Sequence, residues 1–160
     1  MSNLVDELKR EHEVIADTLM RVKFLGVCSE GGQAMLLEAR ADLLEHLRKE
    51  DEGLYPALRK AAASDPAMRS ELDALDKEMK EVTALALEFF DKYEVPLPED
   101  TSSQPFCERL KRTLFARGGR DGLEKEFSED FEKINRKLLE RIRKEENTIY
   151  RMYEKLDIPA

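Results

Sequence analysis

Cysteine is scarce: Cys28 and Cys107 are the only two in 160 residues, too few for a disulfide framework and in no spacing that suits a zinc site. Both are expected to be reduced. Positive charge is also short, with 27 Lys and Arg against 35 Asp and Glu, a formal net charge of -8. Wide contact with nucleic acid or an anionic membrane needs a surplus of cations on the contact surface, so neither partner is expected. Long apolar runs are missing as well. The start, MSNLVDELKREH, has no apolar signal core, and no segment approaches the length that spans a bilayer. These absences together predict a cytoplasmic protein. No serine nucleophile motif occurs, and GGRDG (118–122) lacks the strand and the Gly-x-Gly-x-x-Gly spacing of a phosphate loop. No enzymatic motif is recognised.

What remains is a helix-forming composition rich in Glu, Lys, Leu and Ala, 39% charged and 41% hydrophobic, in a chain of single-domain length. One domain over residues 1–160 is expected. Breaker clusters divide it: CSEGG (28–32), SDP (64–66) and EVPLPEDTSSQP (94–105) each end a helical stretch. Asp65 before Pro66 is a strong start signal, because the carboxylate can cap free amides while proline takes the first helical position. Ser2 or Asn3 could cap the first helix. After the Pro-rich break, FCERLKRTLFA reads as a short amphipathic helix, followed by GGRDG and an uninterrupted helical pattern to about residue 156. Short connections favour an all-α, up-down-up-down antiparallel four-helix bundle with a short extra helix before the last long one.

Apolar residues in each helix recur at steps of three and four, which puts them on one inward face. Helix one gives Leu8, position 12, Ile15, Leu19; helix two gives Leu43, Leu47, position 50, Leu54; the last gives Leu138, Ile142, position 145, Ile149. The interruptions are His12, Glu50 and Glu145, with His46 and Arg141 one turn before the two glutamates. Helix three, Leu72, Leu75, Met79, Val82, Ala86, Phe89, has no polar break. An ionised carboxylate in a bundle core is costly unless a cation or several donors meet it. Three compensations are available: a bound metal, the Arg141 guanidinium, or a gap that admits water.

The second and last helices repeat one another. EHLRKEDEGLYP (45–56) returns as ERIRKEENTIYR (140–151), with His46 exchanged for Arg141. An inward His early in helix one, in LVDELKREHEVIADTL, followed by LLEHLRKEDEGLYPAL, resembles the hemerythrin-like family, also called the HHE cation-binding domain; LLERIRKEENTIYRMYEKL is similar to its fourth helix. The resemblance implies four antiparallel helices around two carboxylate-bridged irons, used for oxygen carriage, oxygen or iron sensing, or repair of damaged iron centres. It assigns His12 and His46 to one iron and Glu50 and Glu145 to the bridging carboxylates. Where histidines of the other iron should stand, this chain has Met79 and Arg141. A thioether is a poor ligand for a hard, oxygen-bridged iron, and a permanently protonated guanidinium has no lone pair to give. The second metal position is expected to be lost, with Arg141 in the place of the missing ion and paired to Glu50 and Glu145.

Two functional readings follow. In one, His12, His46, Glu50 and Glu145 hold a single iron, manganese or zinc ion, and the ligand is small, such as oxygen or nitric oxide. In the other, no metal binds, the histidines are core residues bonded to glutamates, and the bundle is a structural or interaction module. Met79 reads as core filling, Glu78 and Glu81 as solvent-facing, and Tyr55 and Tyr150 as packing at the helix ends. Arg109, Lys111, Arg112, Arg117 and Arg120 form a solvated face or a patch for an acidic protein partner. Phe106, Leu110, Leu114 and Phe115 are expected to pack onto the bundle or onto a second subunit, as in a homodimer.

Overall fold

The computed structural model describes residues 3–95 and 118–156. Helix α1 spans Asn3–Leu25 and stops at Gly26, whose φ of +81° lies in the left-handed region that glycine enters without strain. Ser29 then caps α2 (Glu30–Lys49), its hydroxyl accepting from the Gly32 amide at 2.8 Å. The break therefore falls at Gly26, earlier than the CSEGG cluster implied, and Gly31 and Gly32 lie inside the first turn of α2. Gly32 is small for another reason: a Cβ there would meet the Gly26 carbonyl oxygen at 1.9 Å.

A single π turn, Glu50–Leu54, joins α2 to α3 (Tyr55–Ala61), and a 3₁₀ turn over Ala62–Ser64 ends that rod. Asp65 caps α4 (Pro66–Tyr93) by accepting from the amides of Ala67 and Met68, with Pro66 at the first helical position. The last rod is α5 (Gly119–Lys144), a second π turn (Glu145–Ile149) and α6 (Tyr150–Glu154). This corrects the expectation of an uninterrupted final helix. Both π turns begin at the glutamate of the sequence repeat, and each closes by a bond from the tyrosine amide to the glutamate carbonyl five residues earlier. A cap at Ser2 or Asn3, the FCERLKRTLFA helix, Cys107 and the cations 109–117 lie outside the described residues or side chains; Arg120 is exposed at the start of α5.

Four rods result, and cross-pairs fix their directions. Between α1 and α2 the pairs run Lys49–Glu7 and His46–Glu11; between α2 and α4, Arg40 meets Asp91 and Glu94. Arg141–Thr83 and Lys92–Asp130 order α4 against α5, and Lys23–Glu132 with Lys9–Glu154 order the last rod against α1. In the α1–α2, α4–α5 and α1–last-rod pairs one number rises as the other falls, so those neighbours are antiparallel, and the short turns at Gly26 and Asp65 reverse the chain between consecutive rods.

Two apolar layers fill the interior. One contains Ile15, Leu19, Leu43, Phe89, Phe127, Phe131 and Leu138; the other contains Leu8, Leu54, Leu58, Leu72, Met79 and Ile149. Each fully buried Leu or Phe stabilises the fold by about 1.5–3 kcal/mol relative to exposure. Between the layers lies a polar stratum of His12, His46, Glu50, Arg141 and Glu145, each no more than 4% exposed. Gln33 is a further buried polar residue that periodicity did not mark. Its amide donates to the carbonyls of Val27 and Tyr93 and accepts from the Val95 amide, tying the end of α4 to the α1–α2 turn. Cys28, free and buried there, has its thiol pushed up to about 12 by burial and then by Glu124. No described helix is long and apolar enough to cross a membrane.

Candidate metal centre

His12 comes from α1, His46 from α2, Glu50 and Glu145 from the first positions of the two π turns. Each of the four offers one ligand atom, and these atoms lie within 4.8 Å of one another. The Nε2 atoms of His12 and His46 face each other at 3.1 Å. Glu145 Oε2 is 3.1 Å from His12 Nε2, and Glu50 Oε1 is 3.6 Å from His46 Nε2.

Protons are already committed on the far side of both rings. His12 Nδ1 lies 2.9 Å from Glu146 Oε1 and His46 Nδ1 lies 3.0 Å from Glu11 Oε2. A carboxylate only accepts, so each Nδ1 must carry a hydrogen, and a neutral ring then presents a bare lone pair at Nε2. Metal-ligating histidines are oriented by carboxylates in this way. Glu146 and Glu11 were not singled out by sequence reasoning. The usable signal was that each adjoins a core polar residue, Glu145 or His12, and so flanks the inward face.

Glu145 Oε2 has an ion-pair distance to His12 but, among the described residues, no bond of hydrogen-bonding geometry, and it is fully buried. A buried carboxylate oxygen without a hydrogen bond, set beside the His12 Nε2 and within 4.8 Å of the other ligand atoms, makes a donor set that could hold a cation. Two neutral nitrogens and two carboxylate oxygens suit a divalent ion such as iron(II), manganese or zinc. The residues present fit such an ion.

The other half of the stratum is closed by Arg141. Its Nε donates to Glu145 Oε1 at 2.5 Å and its Nη2 to Glu50 Oε2 at 3.2 Å. Its Nη1 donates to Thr83 Oγ1 at 2.5 Å and to the Met79 carbonyl at 3.4 Å. Each glutamate thus gives one oxygen to the guanidinium and turns the other toward the histidines. Met79 is buried in the adjoining apolar layer and meets Arg141 through its backbone. Thr83 was missed by the sequence reading because it sits one residue off the helix-three series.

Electrostatics agree with this division. Burial works against charge on Arg141, yet Glu145 and Glu50 outweigh it and raise its pKa further. For Glu145 burial is again the largest influence and again loses: His12 and Arg141 hold the carboxyl below its ordinary value. Burial opposes protonation of His46, but Glu50, Glu145 and Glu11 raise its pKa. Tyr150, read from sequence as packing, joins the centre: its hydroxyl donates to Glu50 Oε1 at 2.9 Å and lies 3.2 Å from His12 Nε2. Its pKa is driven up by burial and by the two glutamates. Its counterpart Tyr55 is buried with no hydrogen-bond partner for its hydroxyl among the described residues.

Beside the histidines is a cavity of about 20 Å³, lined among others by His12, His46, Leu138, Arg141 and Glu145, enough for one water-sized molecule. A larger hollow of about 540 Å³ lies between α4 and α5 on Leu85, Phe89 and Ile134. None of the converging donors lines it, so the chemistry belongs to the small cavity despite the difference in size.

A four-helix bundle whose core brings two histidines and two carboxylates to one point defines a cation-binding helical bundle. The chain belongs to the hemerythrin family: the hemerythrin HHE cation binding domain matches residues 3–153. No curated protein and no solved structure matches it significantly.

Proposed function

We propose that this protein holds a single metal ion, iron in the first place with manganese or zinc as alternatives, on His12, His46, Glu50 and Glu145. Arg141 serves as the permanent second cation of a centre that in the family holds two irons. The convergence of both Nε2 lone pairs with the orphaned Glu145 oxygen carries this reading. When bound, the ion would supply an open position for a small ligand. The chain's own residues do the rest: Glu11 and Glu146 orient the rings, Arg141 holds the inner oxygens of both glutamates, and the apolar walls limit access. The 20 Å³ cavity is of the size class of a small diatomic or a water, which supports a reading in which oxygen or nitric oxide is the ligand of a sensing or iron-related stress role.

A second reading is favoured by one observation: Arg141 donates to both carboxylates, so a cation of the chain's own already meets the two buried groups. In it the bundle is metal-free, and a proton shared among the histidines and glutamates completes the network. Elemental analysis of protein purified without added metal or an affinity tag separates the two. About one ion per chain supports the single-ion centre. Two irons with a bridged-iron absorption band would overturn it, and none in folded, stable protein would favour the metal-free bundle.

A further inference from the structure

We propose that Tyr150 is a fifth ligand of this centre, an inference that rests on the single-ion reading above. Neighbouring corners of a six-cornered shell with bonds near 2.1 Å lie about 3.0 Å apart. His12 and His46 Nε2 are separated by 3.1 Å, and His12 Nε2 and Glu145 Oε2 by 3.1 Å. The Tyr150 oxygen stands 2.9 Å from Glu50 Oε1 and 3.2 Å from His12 Nε2, the spacing of neighbouring corners of such a shell.

The hydroxyl has one proton, which goes to Glu50, and the hydrogen of His12 is committed at Nδ1 to Glu146. With a neutral His12 the approach of the phenol oxygen to Nε2 is lone pair against lone pair, and a cation between them, a metal ion or a proton on Nε2, relieves it. The π turn produces this placement. By closing its bond five residues on, it brings Tyr150 back to the inward face that Glu145 occupies, and the Tyr150 ring stacks on His12 at 5.6 Å with an interplanar angle of 7°.

Tyrosine is an established protein ligand of ferric iron, which as a hard ion takes anionic oxygen. Without an ion the hydroxyl keeps its proton in the bond to Glu50 Oε1. A bound ferric ion would take the phenol oxygen as phenolate: the O–H bond would break, an Fe–O bond would form, and the proton would leave to solvent. Tyr55, at the same place in the repeat, makes no hydrogen bond from its hydroxyl to the donors of the centre and has no such role.

The experiment loads wild-type protein, Tyr150→Phe and Tyr55→Phe from ferric citrate, removes free iron, and records iron content and visible spectrum. We expect about one iron per chain in all three, a broad phenolate-to-iron band in the wild type and in Tyr55→Phe, and loss of the band in Tyr150→Phe. Iron-loaded wild type without the band, or a Tyr150→Phe spectrum that keeps it, would overturn the proposal. Resonance Raman on the wild type alone covers a variant that fails to fold or to hold iron: absence of enhanced tyrosinate modes rejects Tyr150 as ligand. Failure of the wild type to take up iron is seen in the iron content, and rejects the single-ion reading together with the proposal.

Discussion

Arg141 reaches across the bundle to place Nη2 3.2 Å from Glu50 Oε2, while Nε holds Glu145 on its own rod at 2.5 Å. One guanidinium thereby pairs with two carboxylates that are each no more than 2% exposed, and offsets one of their two charges. Charge-assisted bonds to a planar fork explain why arginine and not lysine stands here.

Replacing Arg141 with Met leaves both glutamates buried and uncompensated. The expected loss in metal-free protein near neutral pH is about 3–5 kcal/mol. For a chain of this size that corresponds to a fall in Tm of roughly 6–20 °C. A thermal melt at unchanged temperature would show that Arg141 is not the charge that stabilises the stratum.

Metal dependence should track the histidines. In chelator-treated wild type, an added ion at about 100 times its Kd should raise stability by about 2.7 kcal/mol, because it binds only the folded state. His46→Ala removes one of the two imidazoles and should lose most of that gain. Paired melts with and without manganese or zinc measure it. Equal gains in both proteins would place the ion elsewhere.

The turn between α1 and α2 offers a contrast between adjacent glycines. Gly32→Ala drives a Cβ into the Gly26 carbonyl, which already accepts from the Ser29 amide and hydroxyl. A cost of at least about 1–3 kcal/mol is expected. Gly31→Ala meets only a Leu25 methyl at 3.5 Å and should stabilise α2 by up to about 1 kcal/mol. Urea unfolding of the pair tests both signs.

Away from the centre, Asp130 accepts from Lys92 at 2.6 Å and from the Tyr93 hydroxyl at 2.8 Å. Lys92 is the main cause that holds its carboxyl below the usual value of 3.8. A depressed folded pKa contributes stability that is present above the unfolded value and is lost as pH falls through the folded one. Wild type should therefore exceed Asp130→Asn by about 0.5–1 kcal/mol near pH 6, with the gap closing below pH 3.8. Melts between about pH 2 and 7 check the trend, and a gap that widens in acid would reverse the sign.

The helical rods were legible because Leu8, Ile15, Leu19, Leu43, Leu138 and Ile149 repeat at helical spacing, and the polar breaks at His12, Glu50 and Glu145 in those series mark the stratum. The repeat of 45–56 in 140–151 pointed to the exchange of His46 for Arg141. Other features had no local signature. A π turn differs from an α turn by a single residue of phase, which neither EDEGL nor EENTI announces, so the inward reach of Tyr150 stayed hidden. Thr83, Glu11 and Glu146 sit at the edges of helical faces, where exposure and burial are decided by the neighbouring rod.

By itself the sequence determined the four-helix class, the family, and the residue types available at the core, since these follow from periodicity and from side-chain chemistry. Tertiary structure alone decided which oxygen of each glutamate meets Arg141 and which meets a histidine. It also decided which ring nitrogen faces a carboxylate and that the Tyr150 hydroxyl reaches the same stratum. Those are relations between atoms on different rods, fixed to within a few tenths of an ångström by packing, and no one-dimensional pattern encodes a distance across a core.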